Sequence, residues 1–377
     1  MKRISFVDLL RSLSIAVVLA THLGRHHITQ PSPWPILQTL WFKIWENGAT
    51  GVMMFFVISG FLITRLLASD AGGLYRPNFR RFYVRRIGRL FPLLGVICLL
   101  GLGIAWWAPD SGTHRFDYCF SLPPYPYNLF LGGSIASFSV NWFQRLLPQL
   151  SIGQHWINLW SLSVEEQFYF CYPFVLSMLA NKRNLVSFLA ALILLPLLLA
   201  VFIVICLHQD SIFLKSITPY ASIATGCLAY LACEQFHKRL EQYPKICWIF
   251  LGAGFFLTVA TYSHYYYKAD FTWIALGPTL FDLGVFLLIL GGIHLDVFET
   301  KNWQPFSLPG QLSYGLYLLH IAVLFLLWPL LVGINDFVAF AFFSLATIGI
   351  GWLSYHFFER PMNTWIRKRF GPRELKD

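Results

Sequence analysis

The sequence predicts an all-α integral membrane protein of about ten transmembrane helices with no soluble domain. Three observations predict this. Of 377 residues, 56% are hydrophobic and 12% charged, against roughly 25% charged in a soluble domain. Apolar runs near the ~20 residues that span a bilayer recur from end to end. Aromatic residues reach 18%, with 14 Trp and 17 Tyr, which suits the interfacial belts where amphipathic rings sit at headgroup level. Disorder and a water-soluble enzyme are thereby excluded. The expected organisation is one membrane domain over residues 1–361 and a short basic cytoplasmic tail over 362–377.

Hydropathy places spans near 9–29, 49–68, 91–107, 158–180, 185–206, 216–234, 246–262, 272–293, 312–332 and 337–358. An even number puts both termini on one side. With the N-terminus cytoplasmic, 22 of the 28 Lys and Arg residues fall on inner segments and 6 on outer ones, as the positive-inside rule requires. Both termini are therefore expected in the cytoplasm. The net charge of +10 is read as topology rather than as a nucleic-acid surface, because the cations cluster between apolar runs. Lys2 and Arg3 mimic a signal peptide, but Asp8, Arg11 and His22 interrupt the run and no clean cleavage site follows. The seven Cys residues lack metal-ligand spacing, so neither a zinc site nor a disulfide framework is expected.

The long outer segment 108–157 holds Pro123, Pro124, Tyr125, Pro126, Tyr127 and Trp142. It is read as a partly ordered aromatic loop suited to sugars.

Ionisable groups inside a membrane helix are expensive enough to suggest function. The first span carries three. Arg11 and His22 are eleven residues apart, which is about 20° beyond three full turns and about 16 Å of rise, so they share a face. Asp8, three residues before Arg11, falls on the same stripe. The second span, Gly51 to Thr64, is rich in small residues that allow close helix approach. Between the second and third spans Arg85, Arg86 and Arg89 form a dense cationic segment at the expected cytoplasmic mouth. It serves either as an anchor to anionic lipid or as a phosphate-binding fork. At the expected outer end of the fourth span stand Glu165, Glu166 and Tyr169. Ser163 and Glu166 have capping-box spacing, whereas Glu165 faces Tyr169 four residues on. His320 in the ninth span and Glu359-Arg360-Pro361 after the tenth complete the set of polar candidates.

These segments together resemble the acyltransferase-3 family of integral membrane acyltransferases, typified by bacterial O-antigen and nodulation-factor O-acetylases. The resemblance rests on Asp8-Leu9-Leu10-Arg11 with His22, the Gly51 to Thr64 stretch, Arg86-Ile87-Gly88-Arg89 with Pro92, Trp160 to Tyr169, Ser313 to His320, and Glu359-Arg360-Pro361. Six weak motifs in one order over some 360 residues are specific together. The resemblance implies an enzyme of a bacterial inner membrane that moves an acyl group, commonly acetyl from acetyl-CoA, to a carbohydrate hydroxyl. It maps the family's paired Arg and His to Arg11 and His22, and its Arg-x-x-Arg to Arg86 and Arg89. Members with a fused extracytoplasmic domain use two-step transfer; single-domain transfer is implied for this chain.

The residue chemistry agrees. A neutral imidazole, with ordinary pKa about 6.5, can take the proton of an acceptor hydroxyl as it attacks a thioester. His22, Arg11 and Glu165 are the catalytic candidates, Glu165 because a carboxylate from another helix is needed to orient His22. Arg86 and Arg89 are assigned to the CoA phosphates; Glu166, Tyr169 and His320 to the acceptor; Asp8, Glu359 and Arg360 to support. The roughly 16 Å between Arg11 and His22 suits an extended pantetheine arm. No tightly bound cofactor or metal is expected; the partners are acyl-CoA as co-substrate, a carbohydrate or glycolipid acceptor and membrane lipids, with no nucleic acid. The acceptor stays open among O-antigen, exopolysaccharide, periplasmic glucan, peptidoglycan and small molecules. The alternative function is a transporter or flippase of a lipid-linked glycan, since buried Arg, His and Glu also mark transport pathways.

Overall fold

A computed structural model describes residues 3–25, 35–70, 72–107, 127–147, 156, 158–179, 181–203, 212–264 and 271–372. Helices occupy the site of every predicted span: α1 (Ser5–Gly24), α3 (Gly48–Ala68), α4 (Phe79–Trp107), α7 (Leu159–Met178), α8 (Lys182–Phe202), α9 (Ile212–Gln242), α10 (Pro244–His264), α11 (Phe271–Gly292), α12 (Gln304–Leu331) and α13 (Asp336–Ser354). Four further helices lie between or after them: α2 (Pro35–Glu46), α5 (Tyr127–Ala136), α6 (Val140–Leu146) and α14 (Arg360–Phe370). No strand occurs among the described residues.

Among the described residues seven helical segments are long and apolar enough to cross a membrane by themselves, with Leu276–Gly292 a shorter apolar one. The helices α7 and α9 fall outside that set. Glu165, Glu166 and Gln167 interrupt the first, and Glu234, His237, Lys238 and Arg239 the second. The polar residues of α7 are half-buried and those of α9 are exposed beyond its apolar stretch, and both sets lower the mean hydropathy of their helix.

Several boundaries correct the sequence reading. α1 begins at Ser5 and ends at Gly24, because Asp8 and Arg11 are accommodated within its first turns. α4 begins at Phe79, so the cationic segment is helical and continuous with the third span. Residues 362–370, expected as tail, belong to an amphipathic helix, Arg360–Phe370, that packs on α4. The helix follows a π-helical turn, Tyr355–Glu359. Ser163 lies inside α7 and donates to the Leu159 carbonyl at 3.0 Å, so it does not cap α7; its hydroxyl instead accepts from the Val140 N–H at the start of α6 at 3.3 Å. Pro123–Pro126 of the expected sugar-binding loop lie outside the described residues.

The helices satisfy their own polar groups as a bilayer demands. Hydroxyls of Ser14, Thr64, Thr225 and Thr347 donate to the carbonyl four residues back, a bond that removes a bare donor from hydrocarbon. Asn181 and Asn335 cap α8 and α13 by accepting from the backbone N–H groups of Asn184 and Phe337. Leu99, Leu195, Leu198, Phe256, Leu326 and Leu345 are exposed, as lipid-facing side chains must be.

Two compact units divide the chain. The first holds α1–α3, α8–α11, two 3-10 turns (Asp296–Glu299 and Lys301–Trp303) and α12 to Gln311; the second holds α4–α6, α7 to Pro173, and the chain from Leu312 through α14.

In the first unit α3 crosses α9 at two glycines. A Cβ on Gly60 would meet the Ile223 carbonyl, and one on Gly226 the Val57 carbonyl, so the backbones touch. α10 and α11 meet in the same way, with the Gly284 carbonyl 2.7 Å from where a Gly254 Cβ would stand. Around these contacts Phe6, Leu10, Val57, Phe61, Phe281 and Ile289 form the core.

In the second unit Leu93, Ile97, Leu131, Trp156, Leu162 and Leu318 form a smaller core. Hydrogen bonds between helices surround it. The Tyr83 hydroxyl donates to the Phe170 carbonyl at 2.7 Å, and the Tyr314 hydroxyl to the Leu90 carbonyl at 2.6 Å.

Candidate functional site

The first unit carries the α1 stripe. Asp8 and His22 are buried and Arg11 half-buried. The Arg11 guanidinium lies 3.6 Å from the Asp8 carboxylate, one helical turn away, so the stripe read from spacing is present. The start of α1 is tied down: the Ser5 N–H donates to Glu299 at 2.9 Å and its hydroxyl to the other oxygen of Glu299 at 3.1 Å. Two turns further, the Gly310 N–H donates to the Ser12 hydroxyl at 2.7 Å. Gly310 also lies against the Asp8 carbonyl. These contacts fix the rotation of α1 about its axis, which decides where Arg11 and His22 point.

The second unit carries a polar network that spacing did not disclose. Arg86 on α4 donates to Glu166 on α7 at 2.5 Å, and its guanidinium stacks 3.7 Å above the Tyr169 ring. Tyr314 on α12 lies within electrostatic reach of Glu166, Glu359, Arg89 and Arg86. Glu359, turned inward by the π-helical segment, accepts from Ser354 at 3.0 Å and sits against Gly315. Tyr317 shares a 2.6 Å hydrogen bond with Ser161 and donates to the Asn158 carbonyl at 3.0 Å. Glu165 acts electrostatically on Tyr317 and on Arg86.

Arg86 and Glu166 were expected at opposite faces of the membrane, one at the inner mouth and one at the outer end of a span. Their contact places them at one level. The reason is that α4 starts twelve residues before the predicted third span, and that Glu166 sits mid-helix rather than at a helix start. The capping-box reading of Glu166 fails for the same reason.

Arg89, three residues from Arg86, is exposed, and Arg360 is exposed too. His320 is fully buried, with Nδ1 2.6 Å from the Tyr317 carbonyl and its ring 5.6 Å from the Tyr317 ring. Tyr314 and Tyr317 are the site residues that sequence reasoning passed over, although both lay inside the Ser313 to His320 motif. Among the described residues no three His, Cys, Asp or Glu side chains gather as a metal site.

The first unit thus offers a proton acceptor and a cation along one membrane helix. The second offers carboxylates, arginines and tyrosine hydroxyls in a buried network. Such groups can bind an anionic donor, hold hydroxyls and move a proton.

Comparison with known proteins narrows the choice. The chain is 28% identical over 381 aligned positions to a protein of Bacillus subtilis (strain 168) named a putative peptidoglycan O-acetyltransferase, covering 93% of this chain and 58% of that one. It is 26% identical over 391 positions to a peptidoglycan O-acetyltransferase of Listeria monocytogenes, covering 96% and 56%. To an O-acetyltransferase of Staphylococcus aureus it is 26% identical over 350 positions, covering 86% and 53%. The chain therefore spans somewhat more than half the length of these relatives. No solved structure matches it. The acyltransferase domain model of the acyltransferase-3 family matches residues 4–356, nearly the whole chain, and with that match the chain belongs to that family of membrane acyltransferases.

Proposed function

We propose that the protein transfers an acyl group from cytoplasmic acyl-CoA to a hydroxyl of a cell-surface or exported carbohydrate. Acetyl is the group, and peptidoglycan an acceptor, named for relatives. The observation that carries the reading is a buried membrane histidine, His22, on one helical stripe with the Asp8–Arg11 ion pair, in a chain of this family.

In this reading His22 takes the hydroxyl proton as the oxygen attacks the thioester carbonyl. The C–S bond then breaks, and the CoA thiolate recovers the proton from the imidazolium. Arg11, about 16 Å away along α1, guides the pantetheine arm. Arg89, exposed, contacts the CoA phosphates, while Arg86, held by Glu166, supports the network beside it. The termini lie in the cytoplasm, as the cation partition supports.

The test is acyl transfer from labelled acetyl-CoA to peptidoglycan fragments by the purified full chain in nanodiscs. His22→Ala should lower turnover by about 10²–10⁴, the usual worth of acid–base catalysis, at unchanged protein abundance. Near-normal turnover in His22→Ala would sink the assignment of the base. A wild type that moves labelled glycan across a vesicle membrane without consuming acetyl-CoA would favour transport instead. Sidedness is checked by single Cys probes in a Cys-free variant, labelled from outside at Ser137 and from inside at Gly73.

A further inference from the structure

The turn between α5 and α6, in the second unit, carries two features that its own packing leaves unexplained. Phe138 is the only non-glycine residue with positive φ among the described residues, at 52°. A bulky side chain takes that left-handed conformation only where its surroundings impose it. Asn141, three residues on, is 3% exposed, and its Nδ2 meets no acceptor.

One side chain holds both. Gln167 on α7 donates through Nε2 to the Phe138 carbonyl, and through the same nitrogen to Asn141 Oδ1 at 3.1 Å. A carbonyl only accepts, so the atom that faces Phe138 is the Gln167 nitrogen, and the atom it meets on Asn141 must be the oxygen. The network thereby turns the Asn141 NH2 away from Gln167. The backbone around it is fixed as well. The Ser137 N–H donates to the Gly133 carbonyl at 2.9 Å, the Ser139 N–H to the Ser134 carbonyl at 2.7 Å and the Val140 N–H to the Ser163 hydroxyl at 3.3 Å. The amide is therefore held, and does not swing to find a partner of its own.

An amide NH2 carries two donors. Leaving them buried without an acceptor costs more than a hydrogen bond is worth, so an oxygen from outside the chain belongs there. Place and polarity select its source. Ser163 and Gln167, which hold the turn, flank Glu166 on α7, and Glu166 is the partner of Arg86. The turn is thus docked on the stretch of α7 that carries the polar network. Its rim is neutral and polar: Ser137 is exposed and Ser139 half-buried, with their hydroxyls 2.8 Å apart. A phosphate calls for guanidinium forks. A neutral amide beside hydroxyls suits a neutral polyhydroxyl ligand instead.

We propose that Asn141 is an acceptor-binding residue, whose NH2 donates to a hydroxyl oxygen of the carbohydrate bound against the Glu166 stretch of α7. The inference rests on the acyl-transfer reading for the class of its ligand. It also gives the strained turn a purpose, since Phe138 is held in its conformation by the same glutamine that aims the amide.

The experiment uses the full chain in nanodiscs and Asn141→Leu, which keeps the side chain's volume and removes its donors. With acetyl-CoA and peptidoglycan fragments as substrates, KM for the fragment should rise about 3–10-fold, the usual worth of one neutral hydrogen bond. KM for acetyl-CoA should not change. The thermal midpoint should be no lower than that of wild type, because the substitution takes an unsatisfied donor out of the interior. Leu146→Ala, at an exposed position of α6, should alter none of these. An unchanged fragment KM in Asn141→Leu overturns the proposal and leaves the amide to a water. A lowered thermal midpoint with kcat and both KM values moved together overturns it too, since that is the mark of a structural role. Calorimetric titration of the fragments without acetyl-CoA separates this proposal from acyl transfer. Binding that Asn141→Leu weakens by the same factor, in a protein without turnover, keeps the acceptor contact and sinks acyl transfer alone. Turnover with equal binding by wild type and Asn141→Leu sinks the acceptor contact alone, and so does a wild type that binds no fragment.

Discussion

The two units solve the same problem of helix association by different means. In lipid there is no hydrophobic force between helices, so they associate through close van der Waals packing or through interhelical hydrogen bonds. The first unit relies mainly on the former at its helix crossings, where backbone meets backbone at Gly60, Gly226 and Gly254, with isolated interhelical bonds such as that from Ser222 to Asp282 beside them. The second uses the latter, in the Arg86–Glu166 pair and the hydroxyl bonds of Tyr83, Tyr314 and Tyr317. Glycine packing is rigid and chemically inert, which suits a frame that holds His22 in a fixed orientation. Polar packing leaves carboxylates, guanidinium and phenol groups inside the membrane, where they can also do chemistry. The second unit's cohesion and its chemical potential thus come from the same side chains.

This contrast predicts an order of mutational effects. The largest falls on the first unit: Gly226→Leu drives a side chain into the Val57 carbonyl, with backbone on both sides unable to yield. We expect a loss of more than about 4 kcal/mol and little folded protein by size-exclusion chromatography. Gly252→Leu is the control, since nothing lies within 4 Å of its Cβ position, and it should cost under about 0.5 kcal/mol. Equal yields of the two variants would mean that the helix crossing does not hold the frame.

Next comes the buried ion pair. Arg86→Ala strands the Glu166 carboxylate and should cost about 3–5 kcal/mol in denaturation from detergent. Arg86→Met combined with Glu166→Met should recover most of that stability, because the stranded charge is gone, and yet remain poor in acyl transfer. If the double variant were as unstable as Arg86→Ala alone, packing of the arginine stem rather than charge would be the source of the loss.

Tyr317→Phe tests a single neutral link. It leaves Ser161 and the Asn158 carbonyl without that partner and should cost about 1 kcal/mol, read as a fall in thermal midpoint. A cost near zero would place the second unit's cohesion in its apolar core instead.

The smallest effect is expected at Asp8. Its pair with Arg11 is 3.6 Å long, against 2.5 Å for Arg86–Glu166, and lies within one helix turn, so Asp8→Asn, which keeps the side chain's shape and one acceptor oxygen, should cost under about 1 kcal/mol. Its effect on acyl transfer should exceed its effect on stability, because the carboxylate sets the position of Arg11. A stability loss as large as that of Arg86→Ala would erase the distinction between local and interhelical pairing.

What could be read from the sequence was whatever depends on separation along one chain segment. Composition and run length fixed the fold class, because a bilayer accepts only helices that satisfy their own backbone. Eleven residues of helix aligned Arg11 with His22, because the period of an α-helix is a property of the backbone and not of its neighbours. What tertiary structure decided was every pairing between helices. Arg86 and Glu166 are 80 residues apart, and nothing in their local spacing sets the depth at which α4 and α7 meet. The same holds for Glu359, which only a π-helical turn brings to Gly315. The physical reason is that side-chain partners inside a membrane are chosen by which helix faces pack together, and that choice is made by contacts summed over the whole bundle rather than by any one segment.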